Sequence, residues 1–241
     1  MPRLDQLIVE RGLAPSLEKA RALVMAGQVL VNQQKADKPG RNVAADAAIE
    51  LLGQMKYVSR GGFKLEAALD HFGIDAAGRV CLDVGTSTGG FVDCLLQRGA
   101  LRVHAVDVGA SQMDWSLRQD ARVVRHEHCN ARNLTPATLG EPVTLAVCDV
   151  SFISATLVAG PMAACLGPEG EMVILVKPQF EVGRGQVGEG GIVREPALHE
   201  AACERVASTL RQLGFTLDLI PCPLLGAEGN QEFLLYAHKN H

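Results

Sequence analysis

Four charged side chains stand where the apolar pattern marks the ends of short strands. Asp83 follows Val80-Cys81-Leu82, Asp107 follows Arg102–Val106, Asp149 closes the run from Val143, and Lys177 follows Met172–Val176. Strand ends of a parallel sheet converge on one edge, so these groups are expected around a single crevice. Any one of them alone reads as a capping or ion-paired residue. Four in succession are harder to assign to structure, because burying charge costs desolvation energy. Asp149 and Lys177 are the informative pair, since neither is needed to close a turn. A carboxylate beside a lysine in a partly buried site orients that lysine and alters its hold on a proton.

Between the first two acids lies Gly85-Thr86-Ser87-Thr88-Gly89-Gly90, followed by the apolar-spaced segment Phe91–Gln97. Strand, glycine turn and helix in that order open a doubly wound sheet. Glycine lets a ligand approach the backbone closely, and the free N–H groups at the helix start favour a negative or polar ligand group. The turn departs from the G-x-G-x-x-G of dinucleotide enzymes, and no P-loop lysine follows it. It suits a nucleoside ligand better than a pyrophosphate. Asp107, one half-repeat later, is placed to accept hydrogen bonds from ribose hydroxyls.

The elements that must position these groups follow from the same pattern. Gly61-Gly62 opens a helix with Leu65, Ala68, Leu69 and Phe72 on one face and Lys64 at its edge. Arg122–Arg125 is a third strand, 143–150 a fourth and 172–176 a fifth. A long helix runs from Glu195 to Leu213, and 215–220 with 232–237 close the sheet. Short apolar strands alternating with helices mean an α/β, Rossmann-like, mostly parallel sheet with helices on both faces.

Ahead of this sheet, Arg3–Arg11 reads as a short helix closed by Gly12. Ser16 caps a second helix, with Leu17, Ala20, Leu23 and Val24 at helical spacing, and Val29-Leu30-Val31 begins a small sheet. The first 60 residues carry nine Lys/Arg against six Asp/Glu; the remainder carries fourteen against twenty-one. A basic module on an acidic domain points to an anionic partner for the first part.

Composition bounds the rest. The chain has 241 residues, 47% hydrophobic and 21% charged, enough for one large domain and a small one. No apolar run approaches the roughly 20 residues of a membrane span, and the charged amino terminus is not a signal peptide. Seven scattered cysteines without C-x-x-C read as reduced core residues of a cytoplasmic protein. His126 and His128 flank Glu127 without the spacing or further ligands of a zinc site, so no metal is expected.

Two resemblances add to this reading. The amino-terminal stretch, through Arg3-Leu4-Asp5, the run from Arg21-Ala22 to Gly27, and Val29-Leu30-Val31-Asn32, resembles the RNA-binding domain named after the fourth small-subunit ribosomal protein. The whole chain resembles the TlyA or hemolysin-A family of ribosomal RNA methyltransferases, whose catalytic half is similar to the FtsJ (RrmJ) 2′-O-methyltransferases. The strings that carry this are Ser59–Leu65, Asp83–Phe91, Asp149–Ser154, Leu175–Glu181 and Asn230–Phe233. Thr86 stands where alanine is common.

The resemblance implies an RNA-binding domain over 1–55, a linker over 56–60 and a methyltransferase domain over 61–241. It implies S-adenosylmethionine as cofactor, ribosomal RNA or ribosomal subunits as partner, and a Lys64, Asp149, Lys177, Glu232 tetrad acting on a ribose hydroxyl. Gly85, Ser87 and Gly89 would approach the cofactor's amino-acid end, with Asp83, Gly90 and Asp149 around it. Asp107 would meet its ribose, and Asn130 would lie near its adenine. Arg3, Arg11, Lys19, Arg21 and Arg60 are the expected RNA-facing cations. Arg184 joins them on the glycine-rich stretch 181–191, which reads equally as a free surface connection or an RNA-facing lid. Two other readings compete: a ribosome-assembly factor without turnover, and the membrane-lytic role in the hemolysin name, for which no amphipathic or spanning segment speaks.

Overall fold

The structure, a computed structural model, describes residues 2–52, 56–110, 112–226 and 229–239, without the side chain of Arg184. Gly53, Gln54 and Met55, ahead of the expected linker, therefore lie outside the described residues. The chain divides into two compact units, Met1–Lys56 and Tyr57–His241.

The smaller unit packs helix α1 (Leu4–Glu10) and helix α2 (Leu17–Met25) on a three-stranded antiparallel sheet of β1 (Val29–Val31), β2 (Gln34–Lys35) and β3 (Ile49–Leu51), in the order β2-β1-β3. Ser16 caps α2 by accepting the Lys19 N–H at 3.2 Å. Asn32 and Gln33 take φ of 49° and 65°, the left-handed pair that a two-residue hairpin needs. Leu4, Ile8, Ala20, Val24 and Val29 are fully buried between the layers.

The larger unit begins with α3 (Arg60–Phe72), then β4 (Val80–Val84), α4 (Gly90–Gln97), β5 (Arg102–Val106), α5 (Trp115–Arg118) and β6 (Val123–His126). Next come α6 (Pro136–Leu139), β7 (Val143–Cys148), α7 (Thr156–Cys165), β8 (Leu166–Val176), α8 (Pro178–Glu181), α9 (Pro196–Gln212), β9 (Thr216–Pro221) and β10 (Phe233–His238). Seven strands form one sheet, β6-β5-β4-β7-β8-β10-β9, parallel except around β10, which pairs antiparallel with β8 and β9. One face packs under α7 and α9, with Leu82, Val84, Met162 and Val206 fully buried; the other packs under α3 and α4, with Leu65, Cys81 and Leu95. By the alternation of a strand, Asp83 shares the α3–α4 face with Cys81.

Three local findings differ from the pattern reading. Tyr57, expected in the linker, is 1% exposed within the larger core, and α3 starts at Arg60 rather than Gly61. Strand β8 starts six residues before Met172, across a register shift against β7 between Val143 and Leu145. Helix α7 (TLVAGPMAAC) had no stripe to announce it, because it is apolar nearly all round and contains Pro161. Among the described residues no helix is long and apolar enough to cross a membrane.

Candidate active site

Register brings the charged groups together. Val84 of β4 stands level with Val106 of β5 and Cys148 of β7, so Gly85, Asp107 and the residue after Cys148 leave the sheet at one height. Val176 of β8 pairs with Phe233 of β10, which sets Lys177 beside Glu232 across an antiparallel pair.

A glycine brings a sixth element, α3, to this edge. A Cβ on Gly90 would collide with Ser59 Oγ and lie 2.9 Å from the Gly62 nitrogen, so the start of α3 can approach α4 because Gly90 has no side chain. Asp93 fastens the approach by accepting the Val58 N–H at 2.8 Å. Lys64, one turn into α3, is thereby held beside the glycine turn. At Gly85, φ is +86° and a Cβ would lie 2.7 Å from the Asp149 carbonyl oxygen, so the turn and the end of β7 touch through backbone.

Three cavities share this edge. One of about 210 Å³ is lined by Ser59, Arg60, Gly61, Lys64, Gly85, Thr86, Ser87, Thr88, Gly90, Phe91 and Asp149. A second, of about 480 Å³, runs along the other side of the turn past Gly85, Ser87, Asp107, Asn130, Asp149, Ser151 and Phe152, with Val106, Val150 and Ile153 as apolar wall. A third, of about 350 Å³, holds Lys64, Ser151, Phe152, Lys177, Gln179, Phe180, Val187, Gly191 and Glu232. Lys64 borders the first and third, Asp149 the first and second, and Ser151 and Phe152 the second and third.

The four tetrad residues resolve into two ion pairs. Lys64 pairs with Glu232, both nearly sealed from solvent. Lys177 Nζ lies 2.6 Å from Asp149 Oδ1, and its aligned hydrogen bond goes to Ser151 Oγ at 2.8 Å. The contact with Asp149 is thus an electrostatic approach rather than an aligned hydrogen bond, since that oxygen has no partner in hydrogen-bond geometry.

Asp107 is already engaged: its carboxylate accepts the Ser87 N–H at 2.8 Å and the Gly109 N–H at 2.7 Å, which fixes the turn over β5. Each oxygen retains a lone pair, so a ribose could still be bound there. Asn130 accepts from the Arg132 N–H at 3.1 Å and faces the large cavity. Asp83 lines none of the three cavities. It is 0% exposed, neither carboxylate oxygen has an aligned hydrogen-bond partner, and burial pushes its acid up to about 8, against a lowering influence of the neighbouring Thr86 hydroxyl and with added repulsion from Asp149 and Asp107. Gly89 serves the turn itself, at φ +95°, against Leu117.

The expected RNA-facing cations divide differently. Asp5, fully buried, accepts from Arg3 at 2.8 and 3.0 Å and from Arg21 at 2.9 Å, and the bond from Arg3 holds its acid well below the usual range. Both guanidinium groups remain about half exposed, fixed at the surface of the small unit. Arg11 is exposed and lies against its own domain's backbone, donating to the carbonyls of Ala47 at 2.7 Å and Ala45 at 2.6 Å. Arg60 donates to the Leu225 carbonyl at 2.5 Å and borders the smallest of the three cavities. Lys19 stands exposed on α2. Arg184 has its side chain outside the described residues.

Three positions inside the strings that carry the resemblance were given no role by the sequence reading. Glu181, 3% exposed and pushed up by burial, accepts from Ser154 Oγ at 2.5 Å and the Ala155 N–H at 2.7 Å. It thereby ties the loop after β7 to the segment after β8. Asn230 accepts the Val193 N–H at 3.0 Å and donates to the Gly191 carbonyl at 2.9 Å. That anchors the glycine-rich stretch, which folds into short turns at Arg184–Gln186 and Glu189–Gly191 and supplies Val187 and Gly191 to a cavity wall. Phe152 is 88% exposed at φ +67°, with its ring 5.2 Å from that of Phe180.

Residues 57–239 match the FtsJ-like methyltransferase family, and residues 2–49 match the S4 domain. The chain is 45% identical over 237 residues to the 16S/23S rRNA (cytidine-2′-O)-methyltransferase TlyA of Mycobacterium tuberculosis, covering 97% of this chain and 88% of that one. It is 47% identical over 240 residues to YqxC of Bacillus subtilis, which bears a provisional rRNA methyltransferase name, covering 98% and 85%. A solved structure from Streptococcus thermophilus with a provisional hemolysin name is 43% identical, with TM-score 0.76 over 99% of this chain and 88% of that one. A more distant solved structure, the O-methyltransferase from Bacillus cereus in complex with SAH, shares the fold alone, at 14% identity and TM-score 0.54, over 77% and 84%. With most of its length matched and its sheet edge built as described, the chain belongs to the FtsJ-like methyltransferase family.

Proposed function

We propose that the larger unit transfers a methyl group from S-adenosylmethionine to a ribose 2′-hydroxyl of ribosomal RNA, and that the unit over 1–55 binds the RNA. The observation that carries this reading is the cavity lined by Lys64, Glu232 and Lys177, with Asp149 behind Lys177, joined to the glycine-turn crevice through Lys64, Ser151 and Phe152.

The donor set fits the cofactor. Its ammonium and sulfonium are cationic, and the crevice offers Asp149 with the unpartnered Asp83 behind it. The N-terminus of α4 suits the cofactor's carboxylate. Asp107 keeps lone pairs for ribose hydroxyls, and the Val106, Val150, Ile153 wall suits adenine. When bound, S-adenosylmethionine supplies a methyl group activated by the positive sulfur, whose electron pair returns to sulfur as the bond to carbon breaks.

The chain's residues supply the rest. A ribose hydroxyl is a poor nucleophile at neutral pH, so its proton must leave as the oxygen attacks carbon. Lys177 orients that hydroxyl at Nζ and, where it is the neutral amine in the complex, accepts its proton while the new O–CH₃ bond forms, later releasing it to water. Asp149 stabilises the ammonium that develops. Lys64 and Glu232, fixed against each other, line the wall where the ribose rests. Holding the oxygen in line with the departing bond contributes much of the acceleration. Phe152 presents an exposed ring at the cavity mouth, the kind of platform on which an unstacked base is held.

The test is transfer of tritiated methyl to isolated ribosomal subunits, followed by nuclease mapping of the labelled nucleotide. Label resistant to ribose-specific alkaline cleavage supports the reading; label on a base, or none on either subunit, refutes it.

A further inference from the structure

Ser151 has no part in the roles above, yet its hydroxyl is the only aligned hydrogen-bond partner of Lys177 Nζ among the described residues, at 2.8 Å. It borders both the large crevice and the cavity of the two lysines, so it stands where transfer between them must occur. We propose that Ser151 is a positioning residue for this reaction, aiming the Lys177 nitrogen at the acceptor hydroxyl. The inference rests on the reading of Lys177 given above.

The argument is one of directions around nitrogen. A neutral amine has two N–H bonds and one lone pair. With Asp149 as its sole neighbour, the amine rotates about its Cε–Nζ bond and the lone pair samples several staggered positions. Ser151 draws one N–H in an aligned bond, and Asp149, which makes no aligned bond, biases the amine by charge alone, so the lone pair is confined to fewer directions. As Nζ gains the ribose proton, both acceptors face a growing positive charge and both contacts strengthen. Stabilisation that grows toward the transition state raises the rate rather than the affinity.

The backbone supports a purpose for this placement. The loop is fixed at one end by the Asp149 N–H donating to the Val84 carbonyl at 2.9 Å, and at the other by Glu181 holding Ser154 and Ala155. Between them Phe152 is forced to φ +67°, a conformation costly for a bulky side chain. Such strain persists only where surroundings dictate it, and here it lets consecutive residues, Ser151 and Phe152, both face the same cavity. A surface serine of no consequence would require none of this.

The experiment is single-turnover methyl transfer by the full chain to ribosomal subunits at saturating cofactor, alongside cofactor and RNA Kd and thermal melting. Ser151→Ala is expected to lower the rate constant about tenfold, the size of one hydrogen bond to a charged group expressed as a rate. Both Kd values should stay within about twofold and Tm within about 2 °C. Ser151→Thr, which keeps the hydroxyl, should recover most of the rate. An unchanged rate in Ser151→Ala, a loss that threonine does not restore, or a loss confined to Kd overturns the proposal. Lys177→Ala run in parallel separates the two levels. If it is inactive while Ser151→Ala is normal, the positioning role alone falls; if it retains full rate, the reading of the site falls with it.

Discussion

Asp83→Asn should make the ligand-free protein more stable, and increasingly so as pH rises. The carboxyl is sealed at the end of β4 without a hydrogen-bond partner, and burial pushes it from its ordinary 3.8 to about 8. Between those values the unfolded chain has lost a proton that the folded chain keeps. Stability therefore falls as pH rises through this window, by up to about 1.4 kcal/mol per unit, and levels off above it. From pH 5 to pH 7 the accumulated loss is about 2–3 kcal/mol, a large share of a typical domain's stability. Asparagine keeps the shape and cannot ionise, so its curve lacks this component, while the other titrating groups are common to both proteins. Urea unfolding followed by circular dichroism at pH 5, 6, 7 and 8, without cofactor, should show the gap between variant and parent widening with pH. Parallel curves, or a gap that narrows, would refute the account of Asp83 as an unpartnered acid. Calorimetry should show the cost to function: the same variant should bind S-adenosylmethionine more weakly.

Lys177→Ala should abolish methyl transfer with cofactor and RNA affinity within about threefold, and Lys177→Arg should be nearly as inactive, because a guanidinium does not give up its proton; an active arginine variant in single-turnover assays would remove the proton-acceptor role. Gly85→Ala should lower Tm by several degrees and weaken cofactor binding tenfold or more by calorimetry, since its Cβ would press on the Asp149 carbonyl at a φ of +86°. Lys19→Glu should weaken RNA binding at low salt and flatten the slope of log K against log salt by about one to two, measured by filter binding across 50–300 mM salt; an unchanged slope would place the RNA elsewhere on the chain.

The parts of this molecule that were legible in the sequence are those written in consecutive residues. The run from Val80 to Gly90 announces strand, turn and helix because an apolar stretch, an acid and glycines follow one another. Ser16 announces a helix start for the same reason. Asp83, Asp107, Asp149 and Lys177 could be gathered at one edge because parallel strands align their ends. Pairings across the fold were not legible. Nothing near Glu181 says that it caps the loop after β7, and nothing near Asn230 says that it anchors a glycine-rich stretch 39 residues away. Arg11, at the end of the first helix, is exposed as its sequence suggests, but nothing near it says that it also donates to the carbonyls of Ala45 and Ala47. The dihedral at Phe152 is equally silent, because a phenylalanine gives no local warning of a left-handed turn.

The division of the four charged groups into two pairs bears on which lysine handles the proton. Lys64 and Glu232 are almost wholly enclosed, on two elements that meet only through the tertiary fold. Removing either would leave a buried charge uncompensated, a loss of about 3–5 kcal/mol, so this pair is suited to hold its geometry and poorly suited to change its charge in each turnover. Lys177 stands differently. Its own side chain is nearly as enclosed as that of Lys64, but its nearest carboxylate is a quarter exposed, its hydrogen bond goes to a neutral hydroxyl, and it borders the cavity that Phe152 also lines. Two lysines on one cavity wall are therefore not redundant under the proposed function: the one held by Glu232 would fix the wall against which a ribose is set, and the one beside Ser151 would handle the proton.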